Sequence, residues 1–304
     1  MNKPLSGIKV IDCTFFVAGP SCGKCLAEWG AEVIKVEPPN GDPARTKDPE
    51  DQQDRCFENF NSNKKGVVIN TKEPEGSKLM LELIATADVF LTSYRTKALK
   101  NLGLDYETLG KKFPNLIWAQ INGFGDEGPD ADAPGFDTVA YWARSGLMND
   151  FVEQGHPIVI PPVGFGDLAA GATLAGGIAA ALYNRERTGK GEKVLISLYG
   201  LAIYCLGYVL DDVQNGQKFP KTRLNPAIPL MNAFQCKDGK WIYMAILEHE
   251  RYYPTIIKLI GREDLLKDER YSSIYQAITN CPELTAVLDE GFAKYTQAEW
   301  VDML

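Results

Sequence analysis

The chain has 304 residues, 45% of them hydrophobic, 10% aromatic and 24% charged, which fits about two folded domains and excludes a disordered protein. The formal charge of −8, from 32 Lys and Arg against 40 Asp and Glu, repels nucleic acid and anionic membranes on average. No run approaches 18 consecutive apolar residues, and the Met1-Asn2-Lys3-Pro4 start has no apolar signal core, so the expectation is a cytoplasmic protein with neither a membrane nor a nucleic-acid partner.

In chain order, a strand over 7–12 ends at the turn Ala18-Gly19-Pro20-Ser21 and feeds a helix that Gly30 stops, Pro20 suiting its first turn. A second strand covers 32–37. Residues 38–62 are polar and rich in breakers and are expected to form a long loop near a ligand. A strand over 66–70, a helix over 73–87, a strand over 88–92, a helix over 105–113 and a strand over 116–121 follow. This alternation requires right-handed crossovers and predicts a doubly wound, mainly parallel, Rossmann-like α/β domain. Ligands of such sheets bind beyond the carboxyl ends of the strands, here at 13–19, 38–45, 70–72, 92–97 and 122–137.

After a glycine-rich turn at 122–129 the pattern is helical at 137–146 and again at 166–187, where small residues predict close packing. A strand at 194–198 and a helix at 199–213 complete a large domain over 1–217. A smaller α+β domain over 218–304 opens with a Pro-containing linker, then a hairpin, 230–235 and 241–246, around Lys237-Asp238-Gly239-Lys240. Helices follow at 249–260, 274–292 and 297–304.

Seven cysteines, at 13, 22, 25, 56, 205, 236 and 281, are odd in number and scattered, so reduced thiols are expected. Cys22 and Cys25 form C-x-x-C, but no second pair follows at zinc-site spacing and only His156 and His249 are available to complete a site, so core packing is expected and no metal. No G-x-G-x-x-G follows the first strand, no G-x-x-x-x-G-K-[ST] is present, and no G-x-S-x-G elbow accompanies the two histidines; nicotinamide dehydrogenase, P-loop and serine-triad chemistries are disfavoured. Asp167, in Gly164-Phe165-Gly166-Asp167, stands out at the start of the small-residue helix. It reads either as a helix N-cap or, uncrowded between glycines, as a carboxylate nucleophile toward an activated acyl group, and the two roles are compatible.

Several separated segments, Pro4-Leu5-x-Gly7-Ile8-x-Val10-Ile11-Asp12, Ala18-Gly19-Pro20, Gly30-Ala31-Glu32-Val33-Ile34-Lys35-Val36-Glu37, Gly41-Asp42-Pro43-x-Arg45, Asn63-Lys64-Lys65, Gly123-Phe124-Gly125-x-x-Gly128-Pro129, Gly166-Asp167-x-x-x-Gly171 and Thr188-Gly189-x-Gly191, resemble in order and spacing the class III CoA-transferases. The resemblance implies an enzyme that moves CoA from an acyl-CoA to a carboxylic acid, with CoA as substrate and no permanently bound cofactor. Asp167 would be the nucleophile, passing through a mixed anhydride and an aspartyl-CoA thioester, in an interlocked homodimer. By the same resemblance Phe16, Val17 and Ala18 lie near the thioester, Ile69, Ser93, Tyr94, Asn101 and Leu102 near the adenine and phosphates, and Arg45, Lys72 and Arg95 among the candidate cations; Phe136 and Asp137 are added to the pocket.

Val17 and Phe136 depart from the formyl-CoA transferase branch, which has glutamine and tyrosine there, and imply a more apolar pocket. The (R)-2-hydroxyacid branch, acting on acids such as 2-hydroxyisocaproate or phenyllactate, matches better through Ser93-x-Arg95-x-Lys97-Ala98-Leu99 and Asn225-Pro226-x-x-Pro229-Leu230-Met231. An α-methylacyl-CoA racemase is the alternative, disfavoured because Phe136 stands where that group needs a proton-carrying histidine. The family's chains return from the second domain to the first, whereas this one stops in a helical pattern at Trp300-Val301-Asp302-Met303-Leu304; a truncated, catalytically inactive CoA-binding protein is the third reading.

Overall fold

In the computed structural model, which describes residues 3–45 and 55–304, the β-branched runs pair into one sheet. Its strands are β1 (Lys9–Cys13), β2 (Glu32–Glu37), β3 (Lys65–Val68), β4 (Val89–Thr92), β5 (Ile117–Asn122) and β6 (Lys193–Ser197). Their order is β3-β2-β1-β4-β5-β6, and every neighbouring pair is parallel. Successive strand residues point to opposite faces, so Val10, Leu91 and Ala119 enter one core while Ile11, Phe90 and Trp118 enter the other. The order reverses between β1 and β4, which places the ligand-binding crevice at their carboxyl ends.

The helices of this unit are α1 (Ala18–Glu28), α2 (Arg55–Asn61), α3 (Pro74–Ile84), α4 (Thr96–Leu102), α5 (Tyr106–Lys112), a π-helical Asp137–Ala143, α6 (Leu147–Asp150), α7 (Phe165–Thr188), α8 (Leu198–Cys205) and α9 (Gly207–Gln214). Four differ from the sequence reading, the short α6 among them, since a loop is expected after 146. Residues 55–61 of the expected loop are helical, its residues 46–54 lying outside the described ones. The seven-residue α4 is too short to show a period. The expected helix over 199–213 breaks at Leu206, whose φ of −85° and ψ of 10° leave the helical basin as its side chain joins the core.

The buried residues of α7, Gly166, Ala170, Leu174 and Ile178 among them, recur every fourth position and make a single inward stripe. A methyl on Gly177 would stand 2.9 Å from Val194 Cγ1, so glycine there brings α7 close to β6. Although α7 is long and apolar enough by composition to cross a membrane, this stripe packs in the core of the unit.

Contacts divide the chain into residues up to 148 together with 159–215, and a second unit of 149–158 and 216–304. The short piece 149–158, grouped by sequence with the first domain, joins the second through hydrogen bonds: Glu153 accepts from the Arg223 N–H (2.8 Å), and the Gln154 N–H donates to the Lys221 carbonyl (2.9 Å). The second unit has an antiparallel hairpin, β7 (Met231–Gln235) and β8 (Trp241–Ala245), followed by α10 (His249–Leu259), two 3-10 turns, α11 (Ile274–Thr279), α12 (Cys281–Phe292) and α13 (Gln297–Met303). The expected single helix over 274–292 is two, because Asn280 interrupts it and Pro282 sits in the first turn of α12. Phe234, Phe292 and Trp300 form its aromatic core, with Trp300 Nε1 donating to the Phe292 carbonyl at 2.8 Å.

Candidate active site

The loops after β1, β4 and β5 and the start of α7 close around a cavity of about 300 Å³. Phe15, Phe16, Val17 and Ala18 come from the first loop, Ser93, Tyr94 and Arg95 from the second, Asn122, Gly123 and residues 133–136 from the third, and Asp167 and Leu198 complete the wall. Edge-to-face rings build one side: Phe15 against Tyr94 (5.3 Å between centroids) and Phe16 against Phe136 (5.4 Å). Burial pushes the Tyr94 hydroxyl up to about 12, so at neutral pH it is a neutral donor. A larger groove of about 740 Å³ lies in the second unit, but its charges answer one another, Arg223 pairing with Asp289 at 2.6 Å.

Asp167 is the third residue of α7. The N-cap is Gly164, at φ 76°, and no side chain caps the helix; the reading of Asp167 as the cap is corrected, since the left-handed turn at Gly164 starts the helix earlier. Among the described residues the Asp167 carboxylate has no hydrogen-bonding or cationic partner. Burial, and then the nearby Asp137 charge, push it up to about 7, far above the ordinary carboxylate range. Asp167 is half-buried; a carboxylate that has lost part of its water shell is a stronger nucleophile than a fully hydrated one, and its place in the first helical turn favours the charged form it needs.

Asp137, taken from the sequence as a pocket residue, does not reach the cavity wall. It is 5% exposed, and its Oδ2 accepts the Gly164 N–H at 2.9 Å. A methyl on Gly166 would collide with Asp137 Oδ1 and the Tyr141 ring, so the glycine lets the α7 turn settle against this carboxylate. Asp137 therefore shapes the Asp167 turn from behind. Asp137→Asn removes a neighbouring negative charge, so the Asp167 pKa falls toward its ordinary range. The expected outcome is an acid limb of the kcat/KM profile displaced to lower pH; an unmoved limb would contradict the electrostatic link.

Of the other residues named from sequence, Phe16, Val17, Ala18, Ser93, Tyr94, Arg95 and Phe136 meet at the cavity. Arg95 is exposed there, its Nη1 donating to the Asp132 carbonyl at 3.1 Å. The structure turns Arg45 elsewhere: it grips Glu37 with two bonds of 2.9 and 2.8 Å and lies 3.5 Å over the Phe57 ring. Ile69 and Leu102 pack on the core, while Lys72 and Asn101 are exposed away from the cavity wall. Phe15 lies in the 13–19 segment expected at a ligand site, without being singled out there, while the wall residues Ala98, Ile121 and Leu198 fall outside every segment expected there. Leu198 follows the carboxyl end of β6, and extending the strand-end rule to that strand finds it. No group of three metal-ligating side chains is found among the described residues.

Residues 5–304 match CoA-transferase family III. The chain belongs to this family. As a CoA-transferase it uses CoA thioesters as substrates. It is 41% identical, over 99% of its length and 77% of the relative's, to the (R)-2-hydroxy-4-methylpentanoate CoA-transferase of Clostridioides difficile. It is 39% identical, over 97% and 74%, to the cinnamoyl-CoA:phenyllactate CoA-transferase of Clostridium sporogenes. The fold is similar to a crystal structure of Rv3272 from Mycobacterium tuberculosis, with a TM-score of 0.85 at 33% identity over 99% of this chain and 81% of that one.

Proposed function

We propose that this CoA-transferase moves CoA from an acyl-CoA to a 2-hydroxy acid with a branched or aromatic side chain, and that Asp167 is its nucleophile. The reading rests on one observation above the others: a carboxylate without a polar partner, raised to about 7, on the wall of a mainly apolar cavity at the switch point of the sheet. An Asp167 oxygen attacks the thioester carbonyl, the C–S bond breaks, and a mixed anhydride and CoA thiolate result. The thiolate then attacks the aspartyl carbonyl, giving aspartyl-CoA thioester and releasing the donor acid. The acceptor carboxylate attacks that thioester, and the returning thiolate takes the acceptor acyl group, leaving Asp167 free. Each step exchanges one acyl bond for another, so no step passes over a high barrier alone. Retaining the thiolate beside the anhydride raises its effective concentration over that of water.

The N–H groups of Val17 and Ala18 precede the first internal bond of α1, from the Ser21 N–H to the Val17 carbonyl at 2.8 Å. They lack helical acceptors and serve as donors for the oxyanion that develops at the thioester carbon. Arg95 at the cavity is the candidate for the phosphate end of CoA. Phe16, Val17, Phe136 and Leu198 favour a bulky acyl chain, each buried CH2 contributing about 0.8 kcal/mol, and the two clostridial relatives are named for such acids. A homodimer and a cytoplasmic setting belong to the same proposal. Neither histidine lines the cavity, which gives a racemase no second proton carrier there.

Trapping tests the reading. Protein incubated with acyl-CoA and then hydroxylamine or borohydride should carry a hydroxamate or an alcohol at Asp167, found by peptide mass spectrometry. An unmodified Asp167 in protein that turns over normally would refute it. In an exchange assay, 2-hydroxy-4-methylpentanoate and phenyllactate should outperform oxalate and formate as acceptors.

A further inference from the structure

Phe16 has φ 63°, a left-handed conformation rarely adopted by a bulky residue and retained only where surrounding contacts enforce it. The enforcing contacts are a buried charge network behind the cavity. The Phe16 N–H donates to Asp42 Oδ1 at 3.1 Å, and Asp42 Oδ2 is paired with Lys35 Nζ at 2.7 Å. Both side chains are nearly inaccessible, at 2% and 1%. Lys35 Nζ also donates to the Thr14 carbonyl at 2.5 Å, so one ammonium ties the start of the loop to the carboxylate that holds its middle. Glu37 fixes Asp42 in turn, accepting the Asp42 N–H at 3.0 Å while gripped by Arg45. On the far side, α7 approaches α1 so closely that a methyl on Gly171 would stand 2.7 Å from the Ala18 carbonyl oxygen. The loop is thus anchored at both ends with its strained residue between.

Burying two charges is seldom worth its desolvation cost for stability alone, and such pairs are retained where they fix one conformation. The next two N–H groups after Phe16 are those placed above at the oxyanion, so a rotation at Phe16 displaces them. We propose that Asp42 is a positioning residue: through its bond to the Phe16 N–H, and held by Lys35, it fixes the Phe16-Val17-Ala18 backbone opposite Asp167. This rests on the reading of Asp167 as the nucleophile. Asp42 acts through Phe16 and touches no reacting atom.

The test removes both charges, so that neither is left buried alone. Lys35→Met with Asp42→Ala should fold, checked by its melting curve, and lose kcat by about 10²-fold, the cost of misplacing a reacting group by about 1 Å, with the KM for acyl-CoA nearly unchanged. Lys35→Met with Asp42→Asn restores an acceptor for the Phe16 N–H and should recover most of kcat. A structural role alone gives no kcat-against-KM split and no such rescue. Unchanged kcat in the folded alanine variant, or an asparagine variant no better than the alanine one, overturns the proposal. Should the alanine variant fail to fold, the asparagine variant decides: near-parental kcat supports the assignment and a loss of about 10²-fold overturns it. Asp167→Ala, assayed alongside, keeps the two readings apart. If it retains exchange, the nucleophile reading fails; if it is dead while the alanine variant at Asp42 is fully active, only the role of Asp42 fails.

Discussion

Asp167→Ala is expected to lower kcat for CoA exchange by roughly 10⁴- to 10⁶-fold, the range seen when an enzyme loses its nucleophile or a group acting with it. The substitution leaves the aromatic wall, Arg95 and the first turn of α1 in place, so acyl-CoA should still bind with a similar Kd. What disappears is the oxygen that accepts the acyl unit. Without it the acceptor carboxylate must attack the thioester directly, with no covalent partition of the step. The same variant carries an independent signature in stability. The folded pKa of about 7 lies above the ordinary value of 3.8, so the folded state binds the proton more tightly than the unfolded one. Its stabilising contribution is complete below pH 3.8 and is lost as pH rises through 7. Removing the carboxyl should therefore raise Tm relative to the parent above pH 7, with the gain shrinking toward acid. A variant that is inactive but shows no such crossover would place Asp167 in water, contrary to its burial. A variant that exchanges CoA at the parental rate would end the nucleophile reading.

The parallel sheet was legible because its strands alternate with helices at short, regular spacing, and local periodicity reports that directly. Strand-end reasoning then located the cavity, since Phe16, Ser93 and Phe136 all follow or face strand ends whatever the side chains do. Asp137 was misplaced for a physical reason. From sequence it sits beside Phe136 in a loop that approaches the cavity, but the π-helical turn it begins points its carboxylate at the Gly164 N–H. Arg45 was misplaced because a surface arginine chooses its carboxylate by three-dimensional proximity, and Glu37, eight residues earlier, ends the adjacent strand. The left-handed Phe16 was invisible, because phenylalanine carries no sequence signal for positive φ. Only the tertiary contacts of Asp42 and Lys35 account for it.

The exposed and buried glycines of α7 make opposite predictions from the same chemical change. At Gly171 an added methyl would collide with Ser21 Oγ and stand 2.7 Å from the Ala18 carbonyl oxygen and 3.0 Å from the Cys22 nitrogen. Two of these three atoms are backbone. Ser21 is 5% exposed and donates to the Ala18 carbonyl at 2.8 Å, so it has no solvent to swing into. The helices must separate, at about 3 kcal/mol, the upper end of the cost of overpacking. For a unit of this size that lowers Tm by roughly 6–12 °C. Because Val17 and Ala18 move with α1, kcat should fall as well. At Gly176 nothing lies within 4 Å of the added carbon, and alanine is the better helix former by about 1 kcal/mol, so Gly176→Ala should raise Tm slightly and leave kcat alone. Thermal melts and exchange rates of the two variants, measured side by side, check the close approach of α1 to α7. Equal melting temperatures would mean that α7 stands further from α1 than the glycine contact requires, and the floor of the cavity would lose its fixed position.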